Sequence, residues 1–248
     1  MTPESLKERP VSSFDQGRYV VIDKPLRWTS FDLVNKFRYA LCRALGTRRI
    51  KVGHAGTLDP LATGVVVICT GKATKMADEI QKGLKHYVAT VRFGATTPSF
   101  DLESEVDAEY SFEHITESKL TEVLETFLGE TEQIPPLFSA INVDGTRAYK
   151  LARKGQETEL PPRKIFIEDV KVTTFDPPLA TIEVTCGKGT YIRALVRDVG
   201  RALNSGAHLT ALRRTRVGDY GLSEAIRAEE IEDFIARELE KEGYRKEQ

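Results

Sequence analysis

Residues 53–69 read GHAGTLDPLATGVVVIC, a glycine-rich bend that runs directly into an apolar stretch. No polar side chain interrupts residues 65–69, which predicts a strand buried on both faces. Glycines in the bend permit positive φ angles and close approach of the backbone to a neighbour. Pro60 disfavours the helical region for Asp59, so this carboxylate is predicted to lie in an extended or turn conformation. An ordinary Asp-Pro turn explains the bend equally well when it is considered alone.

The flanking sequence alternates between strand and helix patterns. Apolar and alternating runs predict further strands over 19–22, 87–93, 165–174 and 180–186. Apolar residues at helical spacing predict helices over 30–45, 120–127, 192–203 and 231–239. Ser30 is the predicted N-cap of the first helix and Gly46 its stop, and Gly129 is predicted to close the second. Strands come both singly and in pairs between helices, which favours an α+β fold with a mixed sheet.

The composition is that of an ordinary globular protein. The chain has 248 residues, 40% of them hydrophobic, and its 36 Lys and Arg against 37 Asp and Glu give a net charge of −1. These values exclude wholesale disorder and a collagen or disulfide scaffold. The apolar run 65–69 is far short of the roughly 20 residues that span a bilayer, so no membrane segment is predicted. Residues 1–18 are predicted to form a polar extension, neither signal nor transit peptide, and residues 19–248 a single domain.

Several classes of chemistry have no support in the sequence. The three cysteines lie far apart without C-x-x-C spacing, which is typical of a reducing cytoplasm and argues against structural zinc. The four histidines have no ligand spacing, and G-x-S-x-G, H-E-x-x-H and G-x-G-x-x-G motifs are absent. Gly71 and Lys72 lack the flanking residues of a phosphate loop. Hydrolytic triads, dinucleotide binding and metal catalysis are therefore not indicated, and no metal site is predicted.

Charge is balanced overall but not locally. Residues 36–51 carry six basic side chains and no acidic one, and residues 193–216 carry six arginines against one aspartate. Arg193, Arg197 and Arg201 recur every four residues and form one stripe on the predicted helix. Such runs are commonly solvated faces, but a basic face also lets a near-neutral protein bind a polyanion. The glycine-rich segment before Arg193 favours an anion-attracting helix N-terminus.

Taken in order, these segments resemble the TruB family of RNA pseudouridine synthases. The motifs that carry the resemblance are GHAGTLDPLATG at 53–64, ICTGKATK at 68–75, KHY at 85–87 and GTYIR at 189–193. Further matches are DKP at 23–25 with TS at 29–30, IPPLFSA at 134–140 and GAHLTALRR at 206–214. The motifs stand in the family's order, and Tyr19 and Ile235 mark the approximate limits of the resemblance.

The resemblance implies the pseudouridine synthase fold, a mixed and mainly antiparallel sheet flanked by helices with an active-site cleft. Family members break the C1′–N1 bond of a uridine in RNA, turn the base and rejoin it through C5. Stand-alone bacterial members modify the T-loop uridine, position 55, of tRNA, and they use neither a metal nor an organic cofactor. We therefore expect a monomeric, cytoplasmic enzyme that binds the T arm of tRNA and acts on a flipped uridine.

The resemblance also implies which residues carry the chemistry. Asp59 matches the family's aspartate, which either attacks C1′ or removes a ribose proton to give a glycal, and both roles need the ionised carboxylate. Arg193 matches the arginine that holds this carboxylate, a task that suits a guanidinium fork. Tyr87 matches a tyrosine that stacks on the target base and is a candidate base for the C5 proton. A free tyrosine, with a pKa of about 10, is poorly poised for that second role.

The same resemblance assigns RNA-binding residues. His54 is expected to fill the gap that the flipped base leaves, while Tyr191 and Leu212 line the uracil pocket. Residues expected to be phosphate contacts or structural partners are Lys24, Lys75, Arg213 and Arg214. The basic run 36–51 adds salt-sensitive affinity. Residues 134–164, with weak periodicity and many Pro, Gly and basic residues, match a mobile segment that clamps the RNA.

Two departures from the family pattern stand out. Arg27 replaces the glycine that usually lies between the Lys-Pro and Thr-Ser pairs of the first motif, which puts the local turn in question. The family's C-terminal PUA RNA-binding domain is expected to be absent or vestigial. Two alternatives stay open: a guide-RNA-dependent subunit of the box H/ACA type, and a binding module that refolds the T arm of tRNA without chemistry.

Overall fold

The computed structural model describes residues 11–139, 141–143, 145–152 and 160–244. Its strands are β1 (Tyr19–Lys24), β2 (Val52–His54), β3 (Ala62–Thr70), β4 (Lys85–Phe93), β5 (Ala95–Thr96), β6 (Ala108–Glu109), β7 (Gly129–Gln133), β8 (Asn142–Val143), β9 (Thr146–Arg147), β10 (Arg163–Asp176), β11 (Leu179–Cys186), β12 (Ala207–Val217), β13 (Tyr220–Gly221) and β14 (Ile226–Arg227). Its α-helices are α1 (Ser13–Gln16), α2 (Ser30–Ala44), α3 (Ala77–Lys82), α4 (Glu117–Glu125), α5 (Ala148–Ala152), α6 (Ile192–Ala202) and α7 (Ile231–Lys241). Short 3-10 helices cover Gly71–Met76, Leu222–Glu224 and Ala228–Glu230. None of the helices within the described ranges combines the length and the apolarity that crossing a membrane requires.

One ten-stranded sheet organises the fold. Its main path follows the order β14-β1-β3-β12-β4-β11-β10-β7, while β13 pairs with β12 and β2 pairs with β3. The β1–β14 and β3–β12 pairs are parallel, and the other pairs of this sheet are antiparallel. The prediction of an α+β fold with a mixed, mainly antiparallel sheet is confirmed.

Strand β3 has a hydrophobic core on each of its faces, as its unbroken apolar sequence predicts. Val66 and Ile68 belong to the main core, which also contains the buried faces of α2, α6 and α7. Val65, Val67 and Cys69 alternate with them and pack into a second, smaller core. All five side chains are fully buried. The strand is therefore a rigid base for the loop that precedes it.

The ends of two helices differ from the prediction. Thr29, not Ser30, caps α2: the Thr29 side chain accepts from the Asp32 N–H, and the Asp32 carboxylate accepts from the Thr29 N–H. Gly46, at φ 61°, directly follows the C-cap residue and stops α2 as predicted. Helix α4 ends earlier than predicted, and Gly129 begins β7 instead of closing the helix.

Strand β12 is missing from the sequence-based prediction although it lies between β3 and β4 near the centre of the sheet. Its pairing with β4 shifts register between Leu209 and Ala211 and again between Arg214 and Arg216. Each bulge changes which residues face a given side, so the strict alternation of a strand is lost. Period-two reasoning cannot detect such a strand.

The segment predicted as a polar extension packs against the core over its described part. Residues 1–10 lie outside the described ranges, but Phe14 in α1 has no exposed surface. Its ring centroid lies 6.1 Å from that of Phe37, in an edge-on arrangement. The Arg18 guanidinium lies 5.0 Å from the Phe14 centroid and forms a 2.7 Å ion pair with Glu238 of α7. One apolar residue among polar neighbours produces no periodic signal, so the sequence does not reveal this anchor.

We expect Phe14→Ala to lower the free energy of unfolding by about 3–5 kcal/mol, because losing a fully buried ring leaves a cavity in the core. Urea unfolding followed by circular dichroism measures the change. Val11→Ala is the matched control: Val11 is 68% exposed. Its truncation is expected to change the free energy of unfolding by no more than about 0.5 kcal/mol. Equal unfolding midpoints for the two variants would show that α1 does not anchor the core.

Residues 134–164 contain more regular structure than the sequence predicts. Strands β8 and β9 pair in an antiparallel arrangement, α5 follows them, and β10 begins inside the predicted loop. Tyr191 packs against a small buried cluster in this segment, made of Ile141, Ala148 and Leu160. Residues 140, 144 and 153–159 lie outside the described ranges. Closure of this segment over RNA stays a prediction.

Candidate active site

The loop between β2 and β3 presents Asp59 at the edge of the sheet. The Ala62 N–H donates to the Asp59 carbonyl at 3.1 Å, which closes a tight turn around the proline. The Ser30 hydroxyl accepts from the Leu58 N–H at 2.8 Å and so ties the loop to helix α2. The side chain of Asp59 is 36% exposed, so a ligand can reach it.

Arg214 of β12 holds this loop through its backbone. The guanidinium donates to the carbonyls of Val65 at 2.8 Å, Gly56 at 3.1 Å and Thr57 at 3.2 Å. The two chains lie so close that a Cβ on Gly64, at φ 106°, would be 2.1 Å from the Arg214 carbonyl oxygen. The position therefore requires glycine. Of the two roles predicted for Arg214, these bonds and its burial favour that of a structural partner.

Lys24 of β1 also holds the Asp59 loop through backbone carbonyls. Its ammonium donates to the carbonyls of Trp28 at 2.6 Å, Pro25 at 3.0 Å and Pro60 at 3.4 Å. The side chain is fully buried, and burial lowers the pKa of Lys24 to about 8, although the Asp59 carboxylate opposes this shift. The contacts again favour a structural partner over a phosphate contact.

Arg193, in the first turn of α6, binds Asp59 directly. Its Nε and Nη2 atoms both lie 2.9 Å from Asp59 Oδ2. Nη1 donates to the Ser99 carbonyl at 3.0 Å and Nη2 to the Phe138 carbonyl at 2.8 Å. Burial disfavours the charged guanidinium, but Asp59 and Asp101 outweigh burial and raise the pKa of Arg193. A fixed cation thus holds the Asp59 carboxylate in one orientation.

Sequence reasoning missed Asp101, which lies beside the same guanidinium. Asp101 Oδ2 is 3.5 Å from Arg193 Nε. Its Oδ1 accepts from the Ser99 hydroxyl at 2.6 Å and from the Glu103 N–H at 2.9 Å. Several acidic residues surround Asp101 in the sequence, so no local signal distinguishes it. Arg193 therefore lies between two carboxylates, of which Asp59 is the more exposed.

Tyr87 of β4 lines the same cavity as Asp59 and Arg193, together with Tyr191 and Leu212. Burial raises the pKa of Tyr87, although the nearby Arg214 opposes the shift. At neutral pH the Tyr87 hydroxyl consequently keeps its proton. The structure brings these five sequence-predicted site residues to one cavity.

His54 lines a second cavity that also borders Asp59. Its Nδ1 atom is buried and has no hydrogen-bond partner within the described ranges. Burial and the positive charge of Arg214 lower the pKa of His54, so the ring is neutral at physiological pH. His54 is thus a neutral imidazole in the wall of a cavity that also contains Asp59.

The two remaining predicted RNA contacts lie nearer to solvent. Lys75 is exposed and lines none of the cavities that contain Asp59. The Arg213 side chain is 42% exposed, and its guanidinium pairs with Asp23 at 2.7 Å. Lys75 and Arg213 are thus accessible to a phosphate group, as the prediction requires. Neither of them lines a cavity that contains Asp59.

The chain forms a turn at Arg27, between the Lys24-Pro25 and Thr29-Ser30 pairs, although glycine is absent there. Arg27 has a φ of 68°, in the left-handed region. This conformation costs a non-glycine residue roughly 1–2 kcal/mol. The Arg27 N–H donates to the Pro60 carbonyl at 2.7 Å, so the turn packs against the Asp59 loop through its backbone.

The geometry defines what the site can do chemically. An ionised carboxylate that a guanidinium orients toward an open cavity is able to act as a nucleophile or as a base. The neighbouring phenol supplies a flat surface and a hydroxyl. Within the described residues, His, Cys, Asp and Glu side chains form no group of three or more suited to a metal ion.

Two protein-family models match the chain. The N-terminal domain of the TruB family pseudouridylate synthases matches residues 43–192. The C-terminal domain of tRNA pseudouridylate synthase B matches residues 193–246. The chain belongs to the TruB family. Pseudouridylate synthases are isomerases, so the chain is an enzyme of that class.

Curated relatives and solved structures agree with this family. The chain is 56% identical to tRNA pseudouridine synthase B of Phocaeicola vulgatus, over 90% of this chain and 95% of that protein. It is also 56% identical to the protein of that name from Parabacteroides distasonis, over 92% and 97%. A solved Cbf5-Nop10-Gar1 complex matches with a TM-score of 0.69 and 27% identity, over 94% of this chain and 58% of that one. The chain spans 60% of the matching chain in an H/ACA RNP bound to a substrate RNA containing 2′-deoxyuridine, at 25% identity and a TM-score of 0.67.

Residues from both matched regions line the cavity that contains Asp59. Their boundary falls at the start of α6, yet β12 from the second region lies between β3 and β4 from the first. Asp59 and Tyr87 come from the first region, and Arg193 comes from the second. The carboxylate and the guanidinium that meet at 2.9 Å therefore come from different matched regions.

Proposed function

We propose that this protein isomerises the uridine at position 55, in the T loop of tRNA, to pseudouridine, with Asp59 as the catalytic residue. The observation that carries the proposal is the Arg193 guanidinium at 2.9 Å from Asp59, beside a cavity lined by Tyr87. The relatives named tRNA pseudouridine synthase B support tRNA as the substrate, since this chain spans 95% or more of each.

The reaction needs the target nucleotide outside its stack, where C1′ can approach Asp59. The C1′–N1 bond breaks, the uracil turns, a C1′–C5 bond forms, and the C5 proton is lost while N1 gains one. Asp59 begins this sequence either by attacking C1′ or by taking a ribose proton, and both starts require the ionised carboxylate. Both nitrogen contacts from Arg193 fall on Oδ2, which leaves Oδ1 to face the sugar.

The other residues bind the everted nucleotide in this proposal. Tyr87, whose pKa burial raises, is better suited to stacking on the uracil than to accepting the C5 proton. Tyr191 and Leu212 complete the wall of the base pocket, and His54 replaces the flipped base in the stack. Four of the six basic residues in the run 36–51 are exposed, and they add salt-sensitive affinity for phosphates. Monomeric state and a cytoplasmic location stay predictions.

The two alternatives have weaker support. The matching chains of the Cbf5 and H/ACA structures are much longer than this one, and their identity to it is 25–27%, against 56% for the tRNA enzymes. A module that only refolds tRNA has no use for a carboxylate that a buried arginine holds in place. The sequence identities and the Asp59–Arg193 contact therefore both favour a stand-alone tRNA-modifying enzyme.

The purified protein, incubated with an unmodified tRNA transcript in the presence of EDTA, is expected to form pseudouridine at position 55. Nucleoside mass spectrometry measures the product, and carbodiimide mapping locates it. The matched control is the same transcript with cytidine at position 55, which is expected to yield none. Saturable binding without product would favour the refolding module, and product that appears only with an added guide RNA would favour the H/ACA type.

A further inference from the structure

Arg27 combines an unfavourable backbone conformation with an exposed charged side chain. Its φ of 68° lies in a region that suits glycine, which the family usually has here. Arg27 contacts the Asp59 loop through its backbone N–H, at 2.7 Å from the Pro60 carbonyl oxygen. Glycine would make the same bond without strain, so the turn itself does not explain an arginine. Strained residues that persist beside an active site commonly serve the function of that site.

The Arg27 side chain borders a cavity that contains Asp59. Arg27 lines one cavity together with Asp59, Arg193 and the exposed side chains of Leu26 and Leu102. Within the described ranges Arg27 forms no ion pair, whereas the Asp59 carboxylate is already bound by Arg193. The guanidinium of Arg27 is therefore a cation at the rim of the catalytic cavity without a partner of opposite charge in the described part of the chain.

We infer that Arg27 is a substrate-binding residue, which contacts a backbone phosphate of a nucleotide adjacent to the target uridine. The inference rests on the proposed function, because it takes RNA as the ligand. A guanidinium forms paired hydrogen bonds to phosphate oxygens, and its charge releases counterions from the RNA. The contact positions the sugar of the target nucleotide against Asp59 and is independent of the base sequence.

The test compares tRNA affinity across salt concentrations for wild type, Arg27→Gln, Arg27→Lys and Arg27→Gly. The matched control is Arg92→Gln, because Arg92 is an exposed arginine on β4 that lines none of the cavities containing Asp59. Losing one phosphate contact is expected to weaken binding about fivefold at 0.15 M salt and to reduce the slope of log K against log salt by about 0.7–0.9. Arg27→Gln and Arg27→Gly are expected to show this loss, and Arg27→Lys is expected to keep the wild-type slope. Arg27→Gly is expected to melt at or above the wild-type temperature, which separates binding from stability.

Each outcome decides the inference. A wild-type affinity and slope for Arg27→Gln, an equal loss for Arg92→Gln, or a reduced slope for Arg27→Lys would overturn it. Pseudouridine formation by the wild type, measured in parallel, tests the proposed function separately. If the wild type forms product while Arg27→Gln binds like the wild type, only the role of Arg27 fails. If the wild type binds tRNA but forms no product, the proposed function fails, and the salt slopes still decide whether Arg27 contacts a phosphate.

Discussion

Asp59→Asn is expected to lower the rate of pseudouridine formation at least about 10⁴-fold while tRNA affinity stays within about tenfold. Asparagine nearly matches the shape of aspartate, but its amide neither attacks C1′ nor removes a ribose proton. Binding depends on many other contacts, from the base pocket to the basic run 36–51, so affinity changes little. The substitution also removes the charge that Arg193 faces at 2.9 Å, although Asp101 remains 3.5 Å away as a partial partner.

Single-turnover assays with excess enzyme measure the chemical step, and a filter-binding titration measures the affinity. Asp169→Asn is the matched control, because Asp169 is an exposed carboxylate on β10, away from the cavities that contain Asp59. It is expected to react at the wild-type rate. A melting curve shows whether Asp59→Asn is folded. Substantial turnover by folded Asp59→Asn would remove Asp59 from the mechanism.

Arg193→Lys is expected to lower the rate of the chemical step by about 10²–10³-fold, although the positive charge is kept. The guanidinium binds Asp59 through two nitrogens and also donates to the carbonyls of Ser99 and Phe138. An ammonium has three donors around one point and cannot reproduce this planar set of contacts. The carboxylate would lose its fixed orientation, and the buried Ser99 carbonyl and the partly buried Phe138 carbonyl would lose their donors.

The control for this variant lies on the same helix. Arg201 is exposed two turns further along α6, so Arg201→Lys is expected to react within about twofold of the wild type, as surface changes usually do. Rates are compared at saturating enzyme, with melting curves for both variants. Equal rates for Arg193→Lys and Arg201→Lys would show that the guanidinium geometry is not needed for the reaction.

The arginine stripe on α6 shows what helical spacing predicts and what it does not predict. The sequence places Arg193, Arg197 and Arg201 along one side of the helix, where a solvated face is the common outcome. In the structure only Arg201 is exposed. Arg197 is 7% exposed, donates to the Ile134 carbonyl at 2.9 Å and lies 5.1 Å from the Phe100 ring centroid. Helical spacing predicts which side chains share a face, but it does not predict what packs against that face.

In the motif around Asp59, by contrast, local sequence features point to a single residue. Its glycines and its Asp-Pro pair are local features, and together with the family resemblance they were sufficient to select the carboxylate. The supports of the loop were predicted less well: Ser30 binds Leu58 instead of capping α2, and of the two roles left open for Arg214, its bonds to backbone carbonyls favour the structural one. Asp101 was missed entirely, since its importance depends on an arginine far away in the chain.

By itself the sequence determined the doubly buried strand β3, the four longer helices and the candidate carboxylate, because apolar periodicity and turn chemistry are properties of neighbouring residues. No local pattern shows that Arg193 meets Asp59 across 134 positions of the chain: the family resemblance implied this pair, and the tertiary structure forms it. That meeting depends on strand order and register, and the bulges of β12 hide both from any local pattern.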